Sequence, residues 1–175
     1  MQTLQPGQAF PEVSVPTLSG KNILIDNISA PNDWKLVIVY RGKHCPLCTK
    51  YLIELNELLP KFNALGVDVI ALSSDARERA EIQLAEVKPN FEVGYDLSVE
   101  QMTTLGLFIS EPRLGSDAVV PFAEPALFVI NEQGNLQMID ISNVPFARPN
   151  LNSMIMGINF IRSRAEKLPI NGTYV

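Results

Sequence analysis

Residues 35–41 read Lys-Leu-Val-Ile-Val-Tyr-Arg, an unbroken apolar and β-branched run. A run that does not alternate cannot form a strand with one wet face. It needs cover on both faces, the condition of an inner strand in an α/β sheet. A second run of the same kind, Val-Asp-Val-Ile-Ala-Leu, occupies 67–72. Between them Tyr51, Leu55, Leu58 and Phe62 recur at helical spacing with Leu52 and Leu59 beside them, while Lys50, Glu54, Asn56 and Glu57 fall between. The pattern predicts strand, amphipathic helix, parallel strand. Pro46 suits the first turn of that helix, Pro60 can kink or end it, and Gly66 closes it.

The same reading extends along the chain. Ser73-Ser74-Asp75 is a cap for a helix over 76–87, residues 91–96 a third strand, and 98–105 a short helix. A weakly patterned loop through Pro112, Gly115 and Pro121 follows. Residues 126–130 and 136–141 flank Asn-Glu-Gln-Gly-Asn as strand, turn and strand, and 151–164 close the chain as an amphipathic helix. At the start, a loop rich in Pro and Gly carries a hairpin-like pair at 12–15 and 22–25 that caps the rest. With 175 residues, 46% hydrophobic and 19% charged, and neither repeat nor linker, the expectation is a single α/β domain over residues 1–175.

Lys and Arg number 14 against 19 Asp and Glu, a net charge of −5. That balance excludes nucleic acid or an anionic membrane as the main partner and points to proteins or small molecules. The first residues lack a basic stretch followed by an apolar one, and the apolar runs are too short to span a bilayer, so the expected compartment is the cytoplasm. In that reducing compartment a close cysteine pair is expected to be reactive rather than structural.

Both cysteines and the only histidine fall within Arg-Gly-Lys-His-Cys-Pro-Leu-Cys-Thr-Lys, residues 41–50. A Cys-x-x-Cys at a helix start brings Cys45 and Cys48 within disulfide reach, and the helix N-terminus favours a thiolate. Arg41, Lys43 and Lys50 add positive charge nearby. His44 can act as a cation beside Cys45 or face solvent without a role. Two structural thiols or half of a metal site are the competing readings. With one His and no further Cys, a closed zinc site would need a carboxylate or a second subunit, so no metal and no cofactor are expected.

These residues resemble the alkyl hydroperoxide reductase/thiol-specific antioxidant (AhpC/TSA, redoxin) family, the peroxiredoxins, on a thioredoxin-like fold. The likeness covers roughly residues 5–165. It implies a three-layer α/β fold: a central mixed sheet, helices on both faces, and an N-terminal β-hairpin extension. The family's Pro-x-x-x-Thr-x-x-Cys falls on Arg41, Cys45 and Cys48, so that two of three signature positions differ. Its Arg-x-x-Phe-Ile-Ile-Asp-x-x-Gly is similar to residues 125–134, with Pro125 where the catalytic Arg would stand. The same segment is similar to the thioredoxin strand whose cis-proline faces the cysteines. The resemblance therefore implies a cis Pro125 opposite the sulfurs, with Glu124 beside the site raising the thiol pKa. Arg-Gly-x-x-Cys-Pro-x-Cys also resembles a peroxiredoxin-like subgroup in which an aromatic residue precedes the first Cys, and His44 replaces it here.

Loss of the Thr and Arg that hold a peroxide, with gain of a second Cys, moves the expected chemistry toward dithiol exchange. The leading expectation is a thiol-disulfide oxidoreductase cycling through a Cys45–Cys48 disulfide. Cys45, the more exposed sulfur at the helix start, attacks and Cys48 resolves. Lys43, His44, Pro46, Glu124 and Arg148 form the surrounding surface. The first alternative is a thiol peroxidase with Cys48 peroxidatic, Cys45 resolving, and Arg41 or Arg148 in place of the lost Arg. Arg148 lies in Val-Pro-Phe-Ala-Arg, similar to the family's Leu-Pro-x-Gly-Arg. The second is a non-catalytic binding module around Pro125. The implied partners are a protein or small-molecule disulfide or a hydroperoxide, a thioredoxin- or glutathione-type reductant and, since the family often dimerises, a second copy of the chain.

Overall fold

The computed structural model describes residues 4–164 and 166–174. The expected hairpin is present as β1 (Ser14–Pro16) paired antiparallel with β2 (Asn22–Leu24). The apolar runs form β3 (Trp34–Val39) and β4 (Val67–Leu72), parallel and in register from Trp34 opposite Val67 to Val39 opposite Leu72. Between them α1 spans Pro46–Ala64, and α2 (Arg77–Val87) leads from β4 to β5 (Glu92–Gly94). After α3 (Val99–Thr104), β6 (Ile109–Ser110) and β7 (Phe122–Ala123) pair around the loop through Gly115. Then come β8 (Ala126–Ile130), β9 (Leu136–Ile141) and α4 (Leu151–Arg162).

The main sheet has the order β5-β4-β3-β8-β9, with β8 and β9 antiparallel to their neighbours. Alternation along β3 divides its residues between two cores. Leu36, Ile38 and Tyr40 face α1, α2 and α4. Val37 and Val39 face the N-terminal segment and α3. Every residue of β3 is buried, which is why its sequence shows no polar alternation.

Two expectations at helix ends are corrected. Pro60 does not end α1. It forfeits one backbone bond, but Leu58, Leu59 and Phe62 around it are buried, and that packing carries the helix on to Ala64. Asp75 does not cap α2, whose N-cap is Ala76 without a side-chain bond. Its carboxylate turns instead to the loop that follows β3. Because β3 and β4 are parallel and in register, residues after Val39 and after Leu72 emerge side by side. Cys45 to Cys48 and Asp75 therefore share one end of the sheet.

Candidate active site

Cys45 is the N-cap of α1 in extended conformation, and its Sγ accepts the backbone N–H of Cys48 at 3.3 Å. Pro46 occupies the first turn, where its missing N–H costs nothing, and is exposed. Cys45 and Cys48 are joined in a disulfide with their Cα atoms 5.2 Å apart. The sulfurs are less open than the sequence suggested: Cys45 is 3% exposed and Cys48 0%. Cys45 remains the outer of the two, since Cys48 sits one turn in against the sheet.

The loop leading into the pair is held from below. Gly42 has φ +119°, and a Cβ there would lie 2.5 Å from Asp75 Oδ2, so only glycine fits. The Lys43 N–H donates to Asp75 Oδ2 at 2.6 Å. Gln83 Nε2 donates to the Gly42 carbonyl at 3.1 Å and to Thr49 Oγ1 at 3.0 Å, tying α2 to both loop and helix. Sequence reading missed Asp75, Gln83 and Thr49, although the shared strand end was a usable signal for Asp75.

The expected ring of free positive charge is largely neutralised. Lys43 Nζ meets Asp117 at 2.8 Å, and Arg79 lies between Asp75 and Asp117. Arg41 pairs with Glu124 at 3.3 Å and lies 4.9 Å over the Phe122 ring. Lys50 is exposed on α1. Glu124 thus serves Arg41, and it also accepts the Ser110 hydroxyl at 2.6 Å.

Arg148 is the exception. Its Nη2 donates to Cys48 Sγ at 3.4 Å, its Nε donates to the Pro145 carbonyl at 2.9 Å, and its guanidinium lies 4.5 Å over the Tyr51 ring. It has no salt-bridge partner among the described residues, and Nη1 is buried without a hydrogen bond. Burial lowers its pKa from the ordinary value, opposed by the nearby Tyr51 and Glu124.

Pro125 requires a correction. The cis peptide bond among the described residues is Ala30–Pro31; Glu124–Pro125 is trans. The backbone here is already committed, since the Glu124 N–H donates to the Phe108 carbonyl at 2.8 Å and the Pro125 carbonyl accepts from Ser142 at 2.9 Å. The Glu124 N–H is therefore not open to an extended substrate and the bond is trans, so the thioredoxin cis-proline comparison does not carry over. His44 is likewise neither solvent-facing nor a ready cation. Its ring packs on Phe122 with centroids 4.4 Å apart, and burial together with the Arg41 charge lowers its pKa.

Residues 6–139 match the AhpC/TSA family profile, more than half of the chain. The chain belongs to the AhpC/TSA family. Among curated relatives, it is 30% identical over 135 residues to the thiol-disulfide oxidoreductase ResA of Bacillus cereus, covering 77% of this chain and 69% of ResA. A peroxiredoxin of Pyrococcus abyssi is 27% identical over 140 residues, 76% of this chain and 61% of the relative. The chain thus spans about three fifths of that archaeal protein's length. Among solved structures, a mutant of peroxiredoxin 6 of Arenicola marina superposes with a TM-score of 0.78 at 18% identity, covering 96% of this chain and 79% of that one. A peroxiredoxin-like protein of Aquifex aeolicus gives 0.74 at 19%, covering 91% and 89%. These likenesses establish the fold of this AhpC/TSA protein, α/β and thioredoxin-like, and its class is that of a thiol-dependent oxidoreductase of the peroxiredoxin-like group. No helix among the described residues is long and apolar enough to cross a membrane.

Proposed function

We propose that this protein is a thiol peroxidase for small hydroperoxides, with Cys48 as the attacking sulfur and Cys45 as the resolving one. The observation that carries the reading is Arg148 at 3.4 Å from Cys48 Sγ, a half-buried cation with no carboxylate partner among the described residues. Such a cation is compensated when the sulfur beside it is a thiolate. Burial of both sulfurs supports the same reading, because a small peroxide reaches them more easily than a protein disulfide does.

The cycle balances as follows. The Cys48 thiolate attacks one peroxide oxygen; an S–O bond forms, the O–O bond breaks, and the departing oxygen takes up a proton as alcohol or water. The Cys45 thiol then attacks the sulfenic sulfur, forming the Cys45–Cys48 disulfide and releasing water. A thioredoxin- or glutathione-type reductant restores the dithiol. The cytoplasm, with no cofactor, is the proposed setting, and dimerisation belongs to the same proposal.

The leading expectation from sequence, disulfide reduction by Cys45, stays as the second reading because Cys45 is the outer sulfur at the helix start. Rapid mixing of reduced protein with hydrogen peroxide and, separately, with a model protein disulfide decides between them. Faster loss of thiols to peroxide, with sulfenic acid trapped on Cys48 in Cys45→Ser, is the expected result. Faster reaction with the disulfide, and a mixed disulfide on Cys45 in Cys48→Ser, overturns it.

A further inference from the structure

His44 is the only histidine of the chain and immediately precedes Cys45. Both of its ring nitrogens are shielded from solvent and have no hydrogen-bond partner. The ring is half-buried and rests on Phe122, whose ring is also in contact with the Arg41 guanidinium, so a turn of the side chain is enough to present a nitrogen to a group arriving at Cys45. Every charged group around it is committed elsewhere. Arg41 is paired with Glu124, Asp75 with Arg79 and the Lys43 N–H, and Asp117 with Lys43 and Arg79. A half-buried imidazole with two idle nitrogens, in a polar and otherwise paired setting, is satisfied by a group that arrives during the reaction.

Regeneration of the disulfide supplies such a group. A thiol approaching the pair meets Cys45 first, since Cys48 is fully buried beneath it. That thiol must lose its proton before its sulfur can attack, and bulk water has little access. We propose that His44 is the general base of the reductive step, taking the proton of the incoming dithiol at Cys45 and returning it to Cys45 when that sulfur departs. The inference rests on the pair cycling through its disulfide, and it holds for either oxidant.

The step balances. The first thiol of the reductant gives its proton to His44, its sulfur bonds to Cys45, the Cys45–Cys48 bond breaks, and Cys48 leaves as a thiolate beside Arg148. The second thiol of the reductant then loses its proton to solvent and attacks the first. The reductant departs as a disulfide, and Cys45 takes the proton held on His44. Burial lowers the imidazole pKa and so favours the neutral form a base needs, with Arg41 and Arg79 acting in the same sense and Asp75 and Asp117 opposing.

The test uses the oxidised full-length protein and dithiothreitol as the dithiol, following the appearance of protein thiols from pH 5 to 10 in wild type and in His44→Phe. Phenylalanine keeps the packing on Phe122, and thermal unfolding of the variant confirms that it folds. Wild type should show a rate inflection at the pKa measured for its single histidine by NMR. His44→Phe should lose that inflection and react on the order of 10²-fold more slowly at pH 7. The gap should close near pH 10, where the dithiol ionises unaided. An equal rate at pH 7, or a deficit that persists at pH 10, overturns the proposal. Failure of the wild-type disulfide to form or to accept electrons at all would instead remove the cycling reading beneath it.

Discussion

The two ends of the central sheet are built to opposite rules. At the end where β3 begins, Trp34 donates to Glu132 at 2.7 Å, Lys167 pairs with Glu132 at 2.7 Å, and Arg162 pairs with Asp33 at 2.7 Å while lying 4.9 Å from the Trp34 ring. A cavity of about 370 Å³ opens among these residues, and Asp33, Glu132, Arg162 and Lys167 on its walls are paired with one another. At the end where β3 stops, the buried polar atoms lacking partners accumulate: the Ser74 hydroxyl, Gln83 Oε1, both nitrogens of His44 and Nη1 of Arg148. Of the described residues with such atoms, Asp26 alone lies away from this end. Buried unpaired groups cost stability, so their concentration around Cys45 and Cys48 marks the end shaped by chemistry rather than folding.

The largest expected break in this contrast is at Arg148. Replacing it by Met keeps an extended side chain against Tyr51 but removes the cation beside Cys48. The Cys48 thiol pKa should rise by about one unit or more, and alkylation of the reduced protein at pH 7 should slow about tenfold or more. Stability of the oxidised form should change by less than about 1 kcal/mol, because the hydrogen bond to the Pro145 carbonyl is lost while a half-buried cation is spared its partial desolvation. Thiolate absorbance against pH, together with urea unfolding, checks both halves. Unchanged thiol reactivity, or a stability loss of several kcal/mol, would mean that Arg148 is structural.

A smaller effect is expected beneath the loop. Asp75→Asn removes the charge from two hydrogen bonds, to the Lys43 N–H and to Arg79, at a side chain that is 4% exposed. Loss of charged hydrogen bonds at this burial should cost about 2 kcal/mol in urea unfolding. The cost should be matched by a slower reaction with peroxide, as Gly42 and Lys43 lose their support. A neutral outcome would show that Gln83 alone fixes the loop.

The frame of this contrast was legible before any coordinates. The doubly covered runs at 35–41 and 67–72 could form only inner strands, and 67–72, 126–130 and 136–141 match their strands residue for residue. The β6–β7 pair escaped because two-residue strands carry no periodicity. At the site, Cys45, Cys48 and Arg148 were found through motif and resemblance. Which charges remain free was not legible, because Glu124 and Asp117 reach Arg41 and Lys43 across 83 and 74 positions of sequence. The fate of Pro125 was missed for a related reason. Whether its neighbour's N–H is open to a substrate depends on Phe108, 16 residues earlier, in a region without a readable pattern.

The smallest effect belongs to the other end of the sheet. The Lys167 ammonium bonded to Glu132, with help from its own backbone N–H and from Trp34, holds that carboxyl at about 2 against an ordinary 4.5, though partial burial opposes this. The folded carboxyl therefore binds its proton less readily than the unfolded one. Its stabilising contribution is complete above pH 4.5 and is lost as the pH falls toward 2. The side chain is 36% exposed, so solvent screens the pair, and Glu132→Gln should cost no more than about 0.5 kcal/mol at pH 7. Urea unfolding of wild type and variant should differ by a constant amount from pH 7 to about 5 and converge below 4.5. Peroxide consumption should not change at all. A difference that widens in acid would place the stabilisation elsewhere than in the ionised carboxylate. A loss of activity would show that the two ends of the sheet are coupled rather than independent.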